Sequence, residues 1–389
     1  MSMANNKIKR VGILTSGGDC PGLNAVIRAI TKSLEPEGVQ VFGILEGFRG
    51  LIEKKFIVLE GMQTSGLLTV GGTILRTSRD KPHRMPLPDG TTRDMTAEAI
   101  ANYHALELDC LICLGGGGTQ KNAHRLMREG DLNIITVPKT IDNDVWGTDI
   151  CFGFDTGMAI ATEAIDRLHT TASSHHRVMV VDIMGNNSGW LALGAGIAGG
   201  ADVILIPEIK YSLDIVAESL VSRMRLGKMF SIVAVAEGAR SQGEADTPDE
   251  DEEDSGDSSK SKKKKKKNKK SKNAVIDHTK EPLSAILAEH IEDVTGLETR
   301  ITSLGHLQRG GIPTPTDRLL STKYGVKAAT LALQGEFGVM VAKRGLDYIA
   351  VPLEEVAGKK RLVPLDHHWI QAARSVATCM GDILPYTHE

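Results

Sequence analysis

Residues 108–130 read LDCLICLGGGGTQKNAHRLMREG. The opening seven residues are almost wholly apolar, which suits a short strand covered on both faces. The closing residues alternate polar and apolar side chains at helical spacing. Four glycines lie between the two. One glycine would punctuate a turn, whereas four imply that the backbone approaches something closely, and a phosphate fits that description. The central part, residues 113–123, carries no carboxylate, so what the loop holds, and with what help, depends on the rest of the chain.

Working outward, the same alternation recurs. KRVGIL is followed by NAVIRAITKSL, and VQVFGIL, LNIITV, RVMVVDIM, ADVILIPEI and FSIVAVAEG are further β-branched runs. Strands alternating with helix-period stretches predict an α/β fold with mainly parallel sheets. In such sheets, loops leaving the carboxyl ends of the strands open on the ligand crevice. No repeat of fixed period is present.

The 389 residues are 41 % apolar and 24 % charged, an ordinary composition with length enough for two cored domains. A net charge of −3 gives no strong field for nucleic acid or membrane. The N-terminal MSMANNKIKRVGIL lacks an apolar core before the first strand, so a secretion signal is not expected, and no run reaches a membrane span. A reducing cytoplasm is the expected location. Five cysteines are scattered, and Cys110 and Cys113 form a CxxC inside a strand, where that spacing sends them to opposite faces. Buried core cysteines are expected rather than a redox or metal pair.

From Gln242 to Asn273 the pattern breaks into QGEADTPDEDEEDSGDSSKSKKKKKKNKKSKN. An acidic block followed by a lysine block, without one large apolar side chain, is expected to be a disordered, solvated insertion. The lysines also read as a nuclear address or nucleic-acid tail, although the two halves largely neutralise one another.

Three loops carry candidate chemistry. TSGGDCPGLNAVIRAI (15–30) leaves a strand and enters a helix; Gly18 admits close approach, and the helix start suits an anion, though a tight turn alone would read the same. Gly115, Gly116, Gly117, Gly118 and Thr119 form the second. PKTIDNDVWGTD (138–149) is the third. Asp142 and Asp144 stand two apart, which in an extended segment points both carboxylates one way; an Asx-rich turn is the competing reading. Paired carboxylates beside a phosphate cradle are the equipment of phosphoryl transfer. Arginines among glycines in GGTILRTSRDKPHR (71–84), RLHTTASSHHR (167–177) and TRITSLGHLQRGG (299–311) add anion-binding candidates.

TSGGDCPGLNAVIR, GGTILRTSR, PKTIDND, FGFDTG, SSHHRVMVVDIMG, VAEG and LGHLQRGG occur in the order found in the 6-phosphofructokinases, and from Val11 to Gly325 the chain resembles that family. The resemblance implies transfer of a phosphoryl group from ATP, or in some members pyrophosphate, to O1 of fructose 6-phosphate. It implies two Rossmann-like α/β domains with the site in the cleft: residues 1–153 plus 308–358 for the donor, 154–307 for the sugar phosphate, and 359–389 as a packing segment. Gly18 and Arg79 match donor contacts, with the glycine loop and Thr119 near the nucleotide. Thr140 would meet the reacting end of the sugar phosphate, Asp142 matches the general base, and Asp144 an Mg²⁺ partner. Met184, Gly185, Glu237, His306 and Arg309 match the sugar-phosphate pocket. Arg177 and Arg300 match arginines that reach the 6-phosphate from a neighbouring subunit of a homodimer or homotetramer.

Two departures mark the chain. The family's glycine loop reads GGDG in ATP users and GGDD in pyrophosphate users. Here Gly118 leaves room for ATP, while Pro138-Lys139-Thr140 follows the pyrophosphate pattern. The missing obstruction favours ATP, since an added lysine does not forbid it. The metal-site aspartate of that loop is Gly117, and Asn186 and Asn187 stand where relatives carry Arg or His. A pyrophosphate-dependent enzyme, or a weak or silent sugar-phosphate-binding relative, is the alternative.

Overall fold

The computed structural model describes residues 8–243 and 283–385; the charged insertion falls, from residue 244 on, outside the described residues. Two sheets organise the chain. The larger has seven strands in the order Asp347–Pro352, Val339–Arg344, Ile134–Pro138, Cys110–Gly115, Arg10–Ser16, Gln40–Ile44 and Phe56–Leu59. Its five inner strands are parallel, and antiparallel strands close both edges. The smaller has four parallel strands in the order Thr299–Ser303, Val178–Ile183, Ser231–Ala236 and Val203–Leu205. The α/β class and the parallel core are as the sequence predicts. The edge strands Phe56–Leu59 and Asp347–Pro352 leave no such alternation, because only one flank of an edge strand is paired and its side chains stay partly exposed.

The inner strands are buried along most of their length, with polar residues such as Arg10, Gln40 and Arg344 at their ends. Cys110–Gly115 is buried at all six positions, and its alternate residues fall into different cores. Cys110, Ile112 and Leu114 join one, Leu111 and Cys113 the other, so the CxxC pair does face opposite ways, and all five cysteines are free and buried. Helices Leu23–Leu34 and Pro315–Gln334 pack together where Gly325 lets backbones approach; a Cβ there would stand 2.6 Å from Ala29 Cβ and 2.8 Å from the Val26 carbonyl.

The two sheets are tied at Asp317. Its buried carboxylate accepts from the Gly153 amide (3.0 Å), the Thr156 amide (2.8 Å) and Thr156 Oγ1 (2.6 Å), at the start of the helix Phe154–His175 that leads into the smaller sheet. Asp317→Asn turns one acceptor oxygen into a donor facing N–H groups. It is expected to cost about 1–3 kcal/mol, read as a lower midpoint in urea unfolding, with Asp317→Glu less damaging.

The C-terminal segment returns to the smaller sheet at Cys379. Ile204 N donates to the Cys379 carbonyl (2.9 Å) and Cys379 N to Asp202 O (3.0 Å), which extends the edge of the smaller sheet. It also reaches the candidate site.

Candidate active site

A cavity of about 1040 Å³ lies between the carboxyl ends of the two sheets. Gly18, Arg79, Gly116, Gly117, Gly118, Thr119, Thr140, Asp142 and Asp144 line it from the larger sheet. Met184 and Glu237 line it from the smaller, and His306 and Arg309 from the turn after Thr299–Ser303. The three loops read from the sequence therefore meet in one crevice.

The glycine loop is the N-terminus of the helix Gly117–Gly130, which no side chain caps. Its partial positive charge points into the cavity and suits an anion. Gln120 holds it in place from behind: Nε2 donates to the Gly115 carbonyl (3.1 Å), and Thr136 Oγ1 donates to Oε1. Gly115 itself lies off the cavity. A Cβ there would meet Thr119 Oγ1 at 2.1 Å, so this glycine makes room for threonine rather than for ligand. Thr119 in turn spends its hydroxyl on the Ser16 carbonyl (3.4 Å), leaving the turn's backbone as the ligand-facing part. A Cβ on Gly117 or Gly118 would meet nothing within 4 Å.

Gly18 accommodates a cation. A Cβ would fall 1.6 Å from an Arg309 guanidinium nitrogen, so the sugar-side arginine lies directly on the donor-side loop. Lys139, buried to 4 % exposure, donates from Nζ to the Gly18 carbonyl. Burial lowers its ammonium's pKa, an effect that the nearby Cys20 and Asp142 oppose. The segment carrying Arg79 is sewn to the same loop by Gly17 N to Ser78 O (2.9 Å) and Thr77 Oγ1 to Gly17 O (2.7 Å).

The aspartate pair corrects the expectation of an extended segment. Asn143, between the two, is left-handed (φ 55°), and its Oδ1 accepts from Cys151 N (2.8 Å). The competing Asx reading describes the backbone, yet both carboxylates still reach the cavity. Asp142 is fixed by Thr140, whose Oγ1 accepts from its amide (3.0 Å), and by Ser188 Oγ, which donates to its carbonyl (3.3 Å). Asp142 Oδ1 is buried and has no hydrogen-bond partner, and Arg309 Nε is likewise unpartnered. Burial raises the Asp142 pKa, with Arg309 pulling it back down and Glu237 adding to the rise. Asp144 is pushed up to about 7 by burial and by the charge of Asp142.

On the other wall, Glu237 Oε1 accepts from Gly185 N (3.2 Å) and Asn186 N (2.6 Å), so it shapes the Met184–Asn187 loop. Gly185 stands just outside the lining with φ 152°. Arg177 and Arg300 are not in this cavity: both bind Glu298, Arg177 Nε at 2.5 Å from Oε2. Sequence reading missed Gly358, Lys359, Lys360 and Leu362 of the C-terminal segment, all of which line the cavity. No motif marks them, and only the long-range fold brings them in.

A family model described as phosphofructokinase matches residues 10–332. The chain belongs to the phosphofructokinase family. It is 51 % identical to an ATP-dependent 6-phosphofructokinase of Propionibacterium freudenreichii subsp. shermanii, over 96 % of this chain and 99 % of that one. It is 45 % identical to ATP-dependent 6-phosphofructokinase 3 of Bacteroides thetaiotaomicron, over 96 % and 100 % of the two lengths. Among solved structures, Pichia pastoris phosphofructokinase in the T-state aligns with a TM-score of 0.73 and 30 % identity, covering 92 % of this chain and 36 % of the Pichia chain. The chain thus spans about a third of that larger protein. A pyrophosphate-dependent phosphofructokinase of Marinobacter aquaeolei has the same fold, with a TM-score of 0.73 at 20 % identity over 98 % of this chain and 94 % of that one.

Proposed function

We propose that this chain is an ATP-dependent 6-phosphofructokinase, transferring the γ-phosphoryl of ATP to O1 of fructose 6-phosphate to give fructose 1,6-bisphosphate and ADP. Curated relatives of that name match almost the full chain. The observation that carries the reading is Asp142, a buried carboxylate with an unpartnered Oδ1, set in one cavity with an uncapped glycine helix start and Arg309.

Fructose 6-phosphate enters against Met184, Glu237, His306 and Arg309. Asp142 takes the proton of the O1 hydroxyl, which is a poor nucleophile until a base is in reach. O1 then bonds to the γ-phosphorus as the bond to the β–γ bridging oxygen breaks, and ADP departs. Gly116–Gly118 amides, Arg79 and Arg309 offset the charge spread over the transferring group. Thr140 orients Asp142 through its amide.

The donor set fits Mg²⁺ arriving with the nucleotide, since Mg²⁺ takes one or two carboxylates and completes its shell with phosphates and water. Asp144, buried beside Asp142 and only partly offset by Lys360 and Lys139, would hold it. Bound there, the ion would neutralise phosphate charge.

Arg177 and Arg300 lie outside their own cavity and share Glu298, which supports a role at a neighbouring subunit's 6-phosphate in a homodimer or homotetramer. In this reading residues 1–153 plus 308–358 serve as the donor domain and 154–307 as the sugar-phosphate domain. No helix among the described residues is long and apolar enough to cross a membrane; a cytoplasmic location is part of this reading.

The test is formation of fructose 1,6-bisphosphate by the full chain with Mg²⁺ and either ATP or pyrophosphate; turnover with neither overturns the reading. Gly118→Asp is accommodated, because its Cβ has open space, yet it places a carboxylate where the nucleotide's α-phosphate would lie. It is expected to lower kcat/KM for ATP by about 10²-fold, from like-charge crowding, while pyrophosphate is affected less.

A further inference from the structure

The segment that follows the short helix Leu353–Val356 runs along the cavity as a strap. Its backbone is fastened to the aspartate loop twice. Lys360 forms an antiparallel bridge with Val145, and Arg361 N donates to the Asp144 carbonyl (2.8 Å). The Arg361 side chain then returns to the same loop, donating from one guanidinium nitrogen to the Asn143 carbonyl (3.2 Å). Its guanidinium carbon lies 4.0 Å from the centroid of the Trp190 ring, and Trp190 Nε1 donates to the Arg361 carbonyl (3.0 Å). Two residues on, Val363 N donates to Glu208 Oε1 (2.9 Å), the oxygen that also accepts from Gly189 N (3.0 Å).

The strap therefore joins both walls of the cavity, and Arg361 is where it grips the loop that carries the aspartates. That loop needs a grip. Asn143 occupies a left-handed conformation, which asparagine tolerates better than most residues but which its surroundings must still hold. Asn143 spends its side chain on Cys151 N, so the orientation of the peptides on either side of Asp144 falls to Arg361. A flat guanidinium, stacked on an indole and donating in its own plane, fixes a carbonyl direction as an ammonium cannot.

We propose that Arg361 is a positioning residue for phosphoryl transfer: it sets the Asn143–Asp144 backbone, and through it the aim of both aspartates, without touching substrate. The proposal rests on the kinase reading of this cavity. Misplacement of a reacting group by about 1 Å costs on the order of 10²-fold in rate.

The experiment compares Arg361→Ala, Arg361→Lys and Met380→Ala in the full chain. Met380 is fully buried at the far end of the C-terminal segment and controls for loss of stability alone. Arg361→Ala is expected to lower kcat by about 10²-fold, with KM for either substrate shifting less than about threefold, and added guanidinium is expected to restore part of the loss. Arg361→Lys falls between. Amide exchange over residues 141–146 is expected to quicken in Arg361→Ala and not in Met380→Ala. Equal exchange in those two variants, or a kcat in Arg361→Ala that follows thermal stability as it does in Met380→Ala, overturns the proposal. A wild-type chain without turnover would sink the kinase reading, while the exchange measurement would still decide whether Arg361 holds the loop.

Discussion

Replacing Asp142 by asparagine lowers kcat for fructose 1,6-bisphosphate formation by on the order of 10²–10⁴-fold, the range spanned by a positioned general base. The substitution keeps volume and can keep the Thr140 Oγ1 and Ser188 Oγ bonds, which go to Asp142 main-chain atoms. What it removes is the ionisable carboxylate, whose Oδ1 is buried and unpartnered. KM for ATP is expected to change little, because the donor loop Gly116–Gly118 is anchored by Gln120 and not by Asp142. The pH dependence gives a second readout. Burial holds the Asp142 pKa above the usual carboxylate value, and Arg309 only partly offsets this. A base works in its ionised form, so kcat/KM rises with pH through the raised pKa and falls about tenfold per unit below it. Because Asp142 and Asp144 are coupled, the acid limb reports the pair, and Asp142→Asn should remove or displace it. A variant that keeps more than a tenth of wild-type kcat with an unchanged acid limb would take the base assignment away from Asp142.

How far the sequence reached follows from what each contact leaves behind in it. The inner strands were legible because covering both faces forces an unbroken apolar run, as in CLICLG and IITVP. The three loops were legible because parallel strands deliver their carboxyl ends to one side, so separate motifs could be assigned to one crevice. The direction of individual side chains was not. Thr119 turns inward to Ser16, Gly18 seats an arginine from 291 residues downstream, and Asn143 breaks the extended spacing that would have aligned the aspartates. Each depends on a partner fixed only by the fold. The strap was least legible of all: GKKRLVPL reads as a basic surface segment, and its place at the cavity depends on Val145, Trp190 and Glu208, all far away in the chain.

The Gly117→Asp variant is expected to gain activity. Gly117 is the first residue of the helix Gly117–Gly130, its Cβ would meet nothing within 4 Å, and it lines the cavity with Asp144. A carboxylate there enters without steric cost, and the helix dipole favours a negative charge in the first turn by about 0.3–1 kcal/mol. The larger effect is electrostatic and has two opposing parts. Toward the donor's phosphates the new charge is repulsive, which would weaken binding of metal-free ATP. Toward a divalent cation it adds a second carboxylate to Asp144, and stabilising charge where the phosphoryl group moves is worth several kcal/mol. The sum predicts a lower half-saturating Mg²⁺ concentration and a kcat/KM at limiting Mg²⁺ raised by on the order of 10–10²-fold. At saturating Mg²⁺ the gain shrinks, because the cation is then held by the nucleotide and Asp144 without help. Titrating Mg²⁺ at fixed ATP for wild type and variant separates the two parts. An unchanged half-saturation would mean that the glycine costs the wild-type site nothing, and that its phosphate cradle works by backbone amides and Asp144 alone.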